Sequence, residues 1–268
     1  VQLTSLTEGG GVYEEVCYGK PFLQEVIARI DFVAALEAFQ KSMPVKLGKA
    51  VSKIFPISEP TEAIAQELQI SGEELHHRQT RFKQWNFFGK EREKQISFSA
   101  TFITMSHWRY KSYEDFKADF GELVSAVKKE FPDAQVSRFG LRYINNIEIP
   151  GITAVNAWNQ YIDPSLLGVI PFFHNTQQLT RLFHVAELME DDIRVRFQFG
   201  LPNPDYPALI KRPIFVLDLD AYIQVAHDLN EALGYMDNGH VRLQALFEKS
   251  ITDKLRELMH AKPQQSVQ

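Results

Sequence analysis

A chain of 268 residues, 44% of them hydrophobic, is long enough for one large domain or two tightly joined halves around a substantial core. Its formal net charge of -5 argues against a general nucleic-acid binder, which would carry a basic excess, although a local basic groove stays compatible with that balance. A single cysteine, Cys17, leaves no intramolecular disulfide framework and points to a reducing, cytoplasmic setting. The longest apolar runs, such as LLGVIPFF at 166–173, fall far short of a bilayer's thickness, so no membrane partner is expected.

Residues 1–19 lack periodicity, carry the triplet Gly9, Gly10 and Gly11, and read as a mobile lead-in. One α+β domain is expected over 20–262, followed by a short tail at 263–268. Pro21 suits the entrance of a strand in which Val26, Ala28, Ile30 and Phe32 alternate with Glu25, Ile27, Arg29 and Asp31. A helix is predicted over 33–43, stopped before Pro44, and a second short helix over 61–70. Strands at 78–88 and 94–106, joined by the charged, glycine-initiated GKEREK, read as an antiparallel hairpin. Phe116, Phe120, Leu123, Val127 and Phe131 then recur at helical spacing.

The segment SRFGLRYINNIEIP, 137–150, is the most regular of the chain. Phe139, Leu141, Tyr143, Ile147 and Ile149 fall on one face, interrupted by Asn145, and Arg138, Gly140, Arg142, Ile144, Asn146 and Glu148 on the other. A short helix at 155–162 leads to strands at 178–189, 192–200 and 214–223. A helix at 226–236, a break at the DNG of 237–239, and a long amphipathic helix at 240–259 close the chain. The halves 20–136 and 137–262 follow a similar course. They predict one curved, mostly antiparallel sheet, tending toward a half-barrel or tunnel, packed by helices that include the long C-terminal one.

Four segments carry a family likeness: KPFLQEVIARIDF at 20–32, FGLRYIN at 139–145, VLDLDAY at 216–222 and FEKSITDKLRE at 247–257. Their order and spacing resemble the TIGR04255 family, a sporadically distributed group of bacterial and archaeal proteins of about this length. Its pattern has a proline-rich entry to a strand bearing E-V-I, a central G-L-R-Y-I-N, an L-D-x-D strand and a terminal F-x-x-S-I-T helix. The likeness runs from Lys20 to Met259 and departs at Phe22, where a second proline would be expected. It implies no established activity. A patchy distribution is similar to that of genes carried with mobile or defence loci.

The polar strand faces hold the candidate chemistry. Arg138, Arg142, Arg194 and Arg196 each stand opposite apolar residues, and the guanidinium fork binds carboxylate or phosphate at two points. On one reading they line a concave surface for an anionic small molecule or a partner segment. On the other they are cross-strand ion pairs with Glu25, Asp31, Asp218 and Asp220. If Arg142 is buried and paired, its loss is expected to cost about 3–5 kcal/mol. Asp218 and Asp220, two residues apart on one strand face, would with Glu25 form a candidate Mg²⁺ set for a hydrolase or nuclease.

The histidines show no metal-ligand spacing, and there is no P-loop, dinucleotide fingerprint or nucleophile elbow, so no cofactor is expected. His240, just after Gly239, reads as a helix-terminal or packing residue, and Cys17 as a weak nucleophile candidate. The aromatic-rich 81–88 reads either as a base-stacking surface or as a strand apolar on both faces, suited to a dimer interface. Three functions remain open. A non-enzymatic binding or regulatory protein leads, before a metal-dependent hydrolase and a structural subunit of a homo-oligomer or complex.

Overall fold

The computed structural model describes residues 16–71 and 74–262, with side chains except over 63–81 and 261–262. The lead-in expected at 1–15 and the tail at 263–268 lie outside the described residues. The elements run β1 (Cys17–Tyr18), β2 (Leu23–Phe32), α1 (Ala38–Lys41), α2 (Val45–Val51), β3 (Ile57–Ser71), β4 (Glu74–Phe88), β5 (Lys94–Phe98), β6 (Phe102–His107) and α3 (Tyr113–Glu130). They continue with β7 (Gln135–Ile147), β8 (Leu182–Glu190), β9 (Ile193–Leu201), β10 (Phe215–Ile223), β11 (His227–Asp228), α4 (Ala232–Ser250), α5 (Asp253–Met259) and β12 (Ala261–Lys262). Four short 3₁₀ turns occupy the 155–178 connection.

Ten strands form one antiparallel sheet in the order β3-β4-β5-β6-β2-β7-β10-β9-β8, with β11 also paired to β7. From the central β2–β7 pair the two halves mirror each other. In each, a central strand precedes strands that step back inward, four in the first half (β3–β6) and three in the second (β8–β10), and a helix follows, α3 or α4. The sheet is open, ending at β3 and β8, so the expected tunnel is not formed. No helix among the described residues is long and apolar enough to cross a membrane.

Alternation decides which face the central strands bury. Val26, Ala28, Ile30, Phe139, Leu141, Leu217 and Leu219 are at most 1% exposed. Helix α3 follows its predicted stripe, burying Phe116, Phe120, Leu123 and Val127. Ser112 caps it by accepting from the Asp115 amide, with Glu114 and Asp115 in the first turn and Lys128 and Lys129 in the last. Phe120 packs on Phe139, and Gly239 of α4 lies over Ala221 and Leu141. Both long helices therefore cover the face opposite the arginines.

Several local expectations are corrected. The helix over 33–43 shrinks to α1 because Val33 and Leu36 donate backbone hydrogen bonds to Gln135 and Ala100 and stay outside it. The predicted helix over 61–70 belongs to β3, where pairing with β4 from Ile57–Phe88 to Ser71–Glu74 overrides helix propensity. Pro60 fits there because an edge strand leaves one side of its backbone unpaired. The strand at 94–106 folds back at Ser99, whose amide meets the Phe102 carbonyl, giving β5 and β6.

The DNG at 237–239 does not break α4. Gly239 faces the sheet there, where a Cβ would meet that of Ala221 at 3.4 Å, an ordinary contact. The break falls at Ile251 instead, which leaves the helix to bridge Ile162, while Thr252 Oγ1 donates to the Gln160 carbonyl at 2.7 Å. Nor is the lead-in loose up to residue 19, since β1 pairs with β12.

Candidate functional site

Register brings the charged residues of β2, β7, β10, β9 and β8 onto one face. Asp31 stands opposite Arg138, Arg142 opposite Asp220, Asp220 opposite Arg196, and Arg196 opposite Glu187. The two inner arginines are consumed by this arrangement. Arg142 grips Asp218 at two points, Nε to Oδ1 at 2.7 Å and Nη2 to Oδ2 at 2.5 Å, and Gln198 donates to Oδ2 at 3.2 Å. Those hydrogen bonds hold the Arg142 pKa above its ordinary value, against the opposing effect of burial. Arg138 reaches Asp220 at 3.4 Å and Asp31 at 3.7 Å, and its guanidinium lies over the Tyr222 ring. Asp31 is also bound by Arg29 at 2.6 Å.

Asp220 sits at the centre of the network. Burial pushes its carboxyl pKa up, outweighing the pull of Arg138, Arg142 and Arg196. Arg138 and Arg142 thus behave as pieces of a cross-strand network. Arg196 contacts the exposed Glu187 at 3.7 Å, and among the described residues Arg194 makes no ion pair.

Glu25, Asp218 and Asp220 share this face but are not gathered as a metal set. Among the described residues no group of three His, Cys, Asp or Glu side chains is placed to hold an ion. The Asp218 oxygens are taken by Arg142 and Gln198, and Asp220 faces Arg138. The aromatic hairpin offers little stacking surface: Phe87 is buried, and Trp85 Nε1 donates to the Phe39 carbonyl at 2.9 Å. Cys17 is half-buried, with its thiol toward the Lys111 carbonyl.

Two features go beyond the sequence reading. The first is β8, whose outer side has no strand neighbour among the described residues and whose apolar side chains stay in solvent. Val185 is 53% exposed and Met189 57%, on the face of Arg194 and Arg196, with Phe183 beside them; Leu188 is exposed on the other face. Surplus apolar residues in 178–189 were the available signal, but edge position is a property of strand order. The second is His240. It lies well inside α4, is buried, shares a 2.9 Å hydrogen bond with the Tyr143 hydroxyl, and stacks on Tyr113 at 3.7 Å. Burial lowers its pKa from 6.5 to about 4, outweighing Glu114 and Asp237.

No protein-family model matches the chain, and no curated protein matches it either, so a functional reading stands on this geometry.

Proposed function

We propose that the protein is a non-enzymatic binding protein that receives an extended partner segment, bearing apolar and acidic side chains, along β8. The observation that carries this is the contrast between the sheet's two edges. The described side chains of β3 are of the kind that blunt an edge, with exposed Ser58, Glu59, Pro60, Thr61 and Glu62. Strand β8 carries exposed Phe183, Val185, Leu188 and Met189 instead. Its free backbone groups suit main-chain pairing with an added strand, and alternate side chains of that strand would meet Phe183, Val185 and Met189. Arg194 and Arg196, exposed on the same face, supply the forks for carboxylates.

Membership of the TIGR04255 family is retained as part of this proposal. Its FGLRYIN and VLDLDAY segments fall on the adjacent β7 and β10, where Arg142 and Asp218 bind each other, so the likeness would describe the supporting frame.

The test is a fluorescently labelled eight-residue peptide alternating Glu and Val, titrated against the full chain, with a Lys–Val peptide as control. The Glu–Val peptide should bind in a salt-sensitive way, and the double variant Arg194→Glu, Arg196→Glu should weaken it by about tenfold or more. Equal binding of both peptides, or of neither, overturns the reading. So does a mass that doubles with concentration and reverts on Val185→Asp, since a second copy would then occupy β8.

A further inference from the structure

Beyond the Leu182 end of β8, the loop at 171–181 meets the loop at 202–213, and both expose apolar side chains. Phe172 is 79% exposed, Tyr206 52%, Leu209 50% and Phe173 37%. Hydrogen bonds tie the two loops into one surface. Ile210 donates its amide to the Leu179 carbonyl at 3.2 Å, and Asn203 Nδ2 donates to the Thr180 and Ala208 carbonyls at 2.8 Å each. Arg181 Nε donates to the Pro202 carbonyl at 3.2 Å, and its guanidinium lies 3.9 Å over the Tyr206 ring. Single exposed apolar residues are ordinary, whereas a group of them on joined loops marks a contact surface.

Two observations say what covers it. The first is charge. These two loops carry Arg181, Lys211 and Arg212 against one acid, Asp205, in a chain whose net charge is -5. All three cations are exposed, so an acidic partner is favoured here. The second is continuity with the unpaired strand edge. Leu182 pairs with Leu201, so both loops leave the sheet at the same end. Leu179, which shares a surface hollow with Phe172 and Phe173, is three residues before Leu182, within about 10 Å along the chain. Every pairing in the described sheet is antiparallel, the arrangement slightly more stable per residue. A strand added antiparallel to β8 therefore carries its C-terminal end onto this patch.

We infer, on the reading of β8 given above, that the partner segment continues past its strand into a C-terminal anchor. Aromatic or leucine side chains of that anchor sit on Phe172, Tyr206 and Leu209, and acidic residues after them face Arg181, Lys211 and Arg212. Main-chain pairing along β8 supplies affinity with little preference for sequence, while an apolar anchor concentrates binding energy in a few residues. An anionic lipid surface would also be drawn to these cations, but it has no backbone to pair with the strand edge alongside.

The test extends the Glu–Val octapeptide by Phe-Leu-Glu-Glu at its C-terminus or, in a control, by Glu-Glu-Leu-Phe at its N-terminus. All peptides are acetylated and amidated, so that terminal charges do not contribute, and are titrated against the full chain. The C-terminal extension should bind about tenfold or more tightly than the octapeptide, and the N-terminal one should not. The double variant Phe172→Ser, Leu209→Ser, at two exposed positions, should remove that gain and leave octapeptide binding unchanged. An octapeptide that binds while neither extension helps overturns the anchor and leaves the β8 reading standing. Equal gains from both extensions, or a gain that survives the double variant, also overturn the anchor. Failure of all three peptides to bind overturns both readings. Sedimentation with vesicles of phosphatidylserine and phosphatidylcholine, lost in the double variant, would give the patch to a membrane instead. A mass that doubles with concentration and reverts in that variant would give it to a second copy.

Discussion

Arg142→Ala tests whether the charged face is a network or a vacant groove. The substitution leaves Asp218, whose side chain is only 9% exposed, with the single Gln198 contact at 3.2 Å. Breaking a fully buried pair costs about 3–5 kcal/mol, whereas an exposed pair contributes about 0.2–1 kcal/mol. The Arg142 side chain is 38% exposed, so water reaches the abandoned carboxylate once the guanidinium is gone. The expected cost is therefore about 2 kcal/mol, below the range the sequence alone suggested. Urea denaturation of Arg142→Ala, Asp218→Asn and the double variant, with midpoints and slopes compared, isolates the pair. The double variant should cost little more than either single one, giving a coupling of about 2 kcal/mol. Simple additivity, with coupling below about 0.3 kcal/mol, would refute the pairing and return Arg142 to the set of ligand-binding candidates.

Other outcomes follow from the same structure. The His240 pKa of about 4 in the folded chain lies below its ordinary 6.5, so the unfolded chain protonates first as pH falls. Its contribution, on the order of 3 kcal/mol, is complete above pH 6.5 and lost toward pH 4. Urea midpoints at pH 7 and 4.5 should therefore fall further in the wild type than in His240→Gln, and parallel losses would contradict the assignment. Gly200 has φ +130° in β9, and a Cβ there would meet the Leu182 carbonyl oxygen at 2.3 Å. Gly200→Ala should destabilise by about 2 kcal/mol or more and release β8, a loss that peptide binding would also register. Gly239→Ala adds a methyl at ordinary contact distance from Ala221 and gains helix propensity, so its thermal midpoint should hold or rise. Gly239→Leu should lower it by overpacking α4 against β7 and β10, at a cost of about 1–3 kcal/mol.

What the sequence by itself determined was local and periodic. Alternation along β2, β7, β9 and β10 placed Arg138, Arg142, Arg194, Arg196, Asp218 and Asp220 opposite the buried face, because side chains reverse at every residue of a strand. Helical spacing located α3 for the same kind of reason. The tertiary structure decided which charges meet. Register sets Arg142 opposite Asp220, yet its guanidinium turns to the diagonal Asp218, a choice made by side-chain reach and by Gln198 on a third strand.

It also decided that 57–71 is strand rather than partly helix, since the ladder with β4 supplies backbone bonds that no local propensity anticipates. It carried α4 through Gly239 and set β8 at the rim of the sheet. The apolar patch beyond β8 lies where the loops at 171–181 and 202–213 are joined by hydrogen bonds. Periodicity is a property of neighbours in sequence. Edges, partners and patches are properties of neighbours in space, and these were settled only when the two halves closed on β2 and β7.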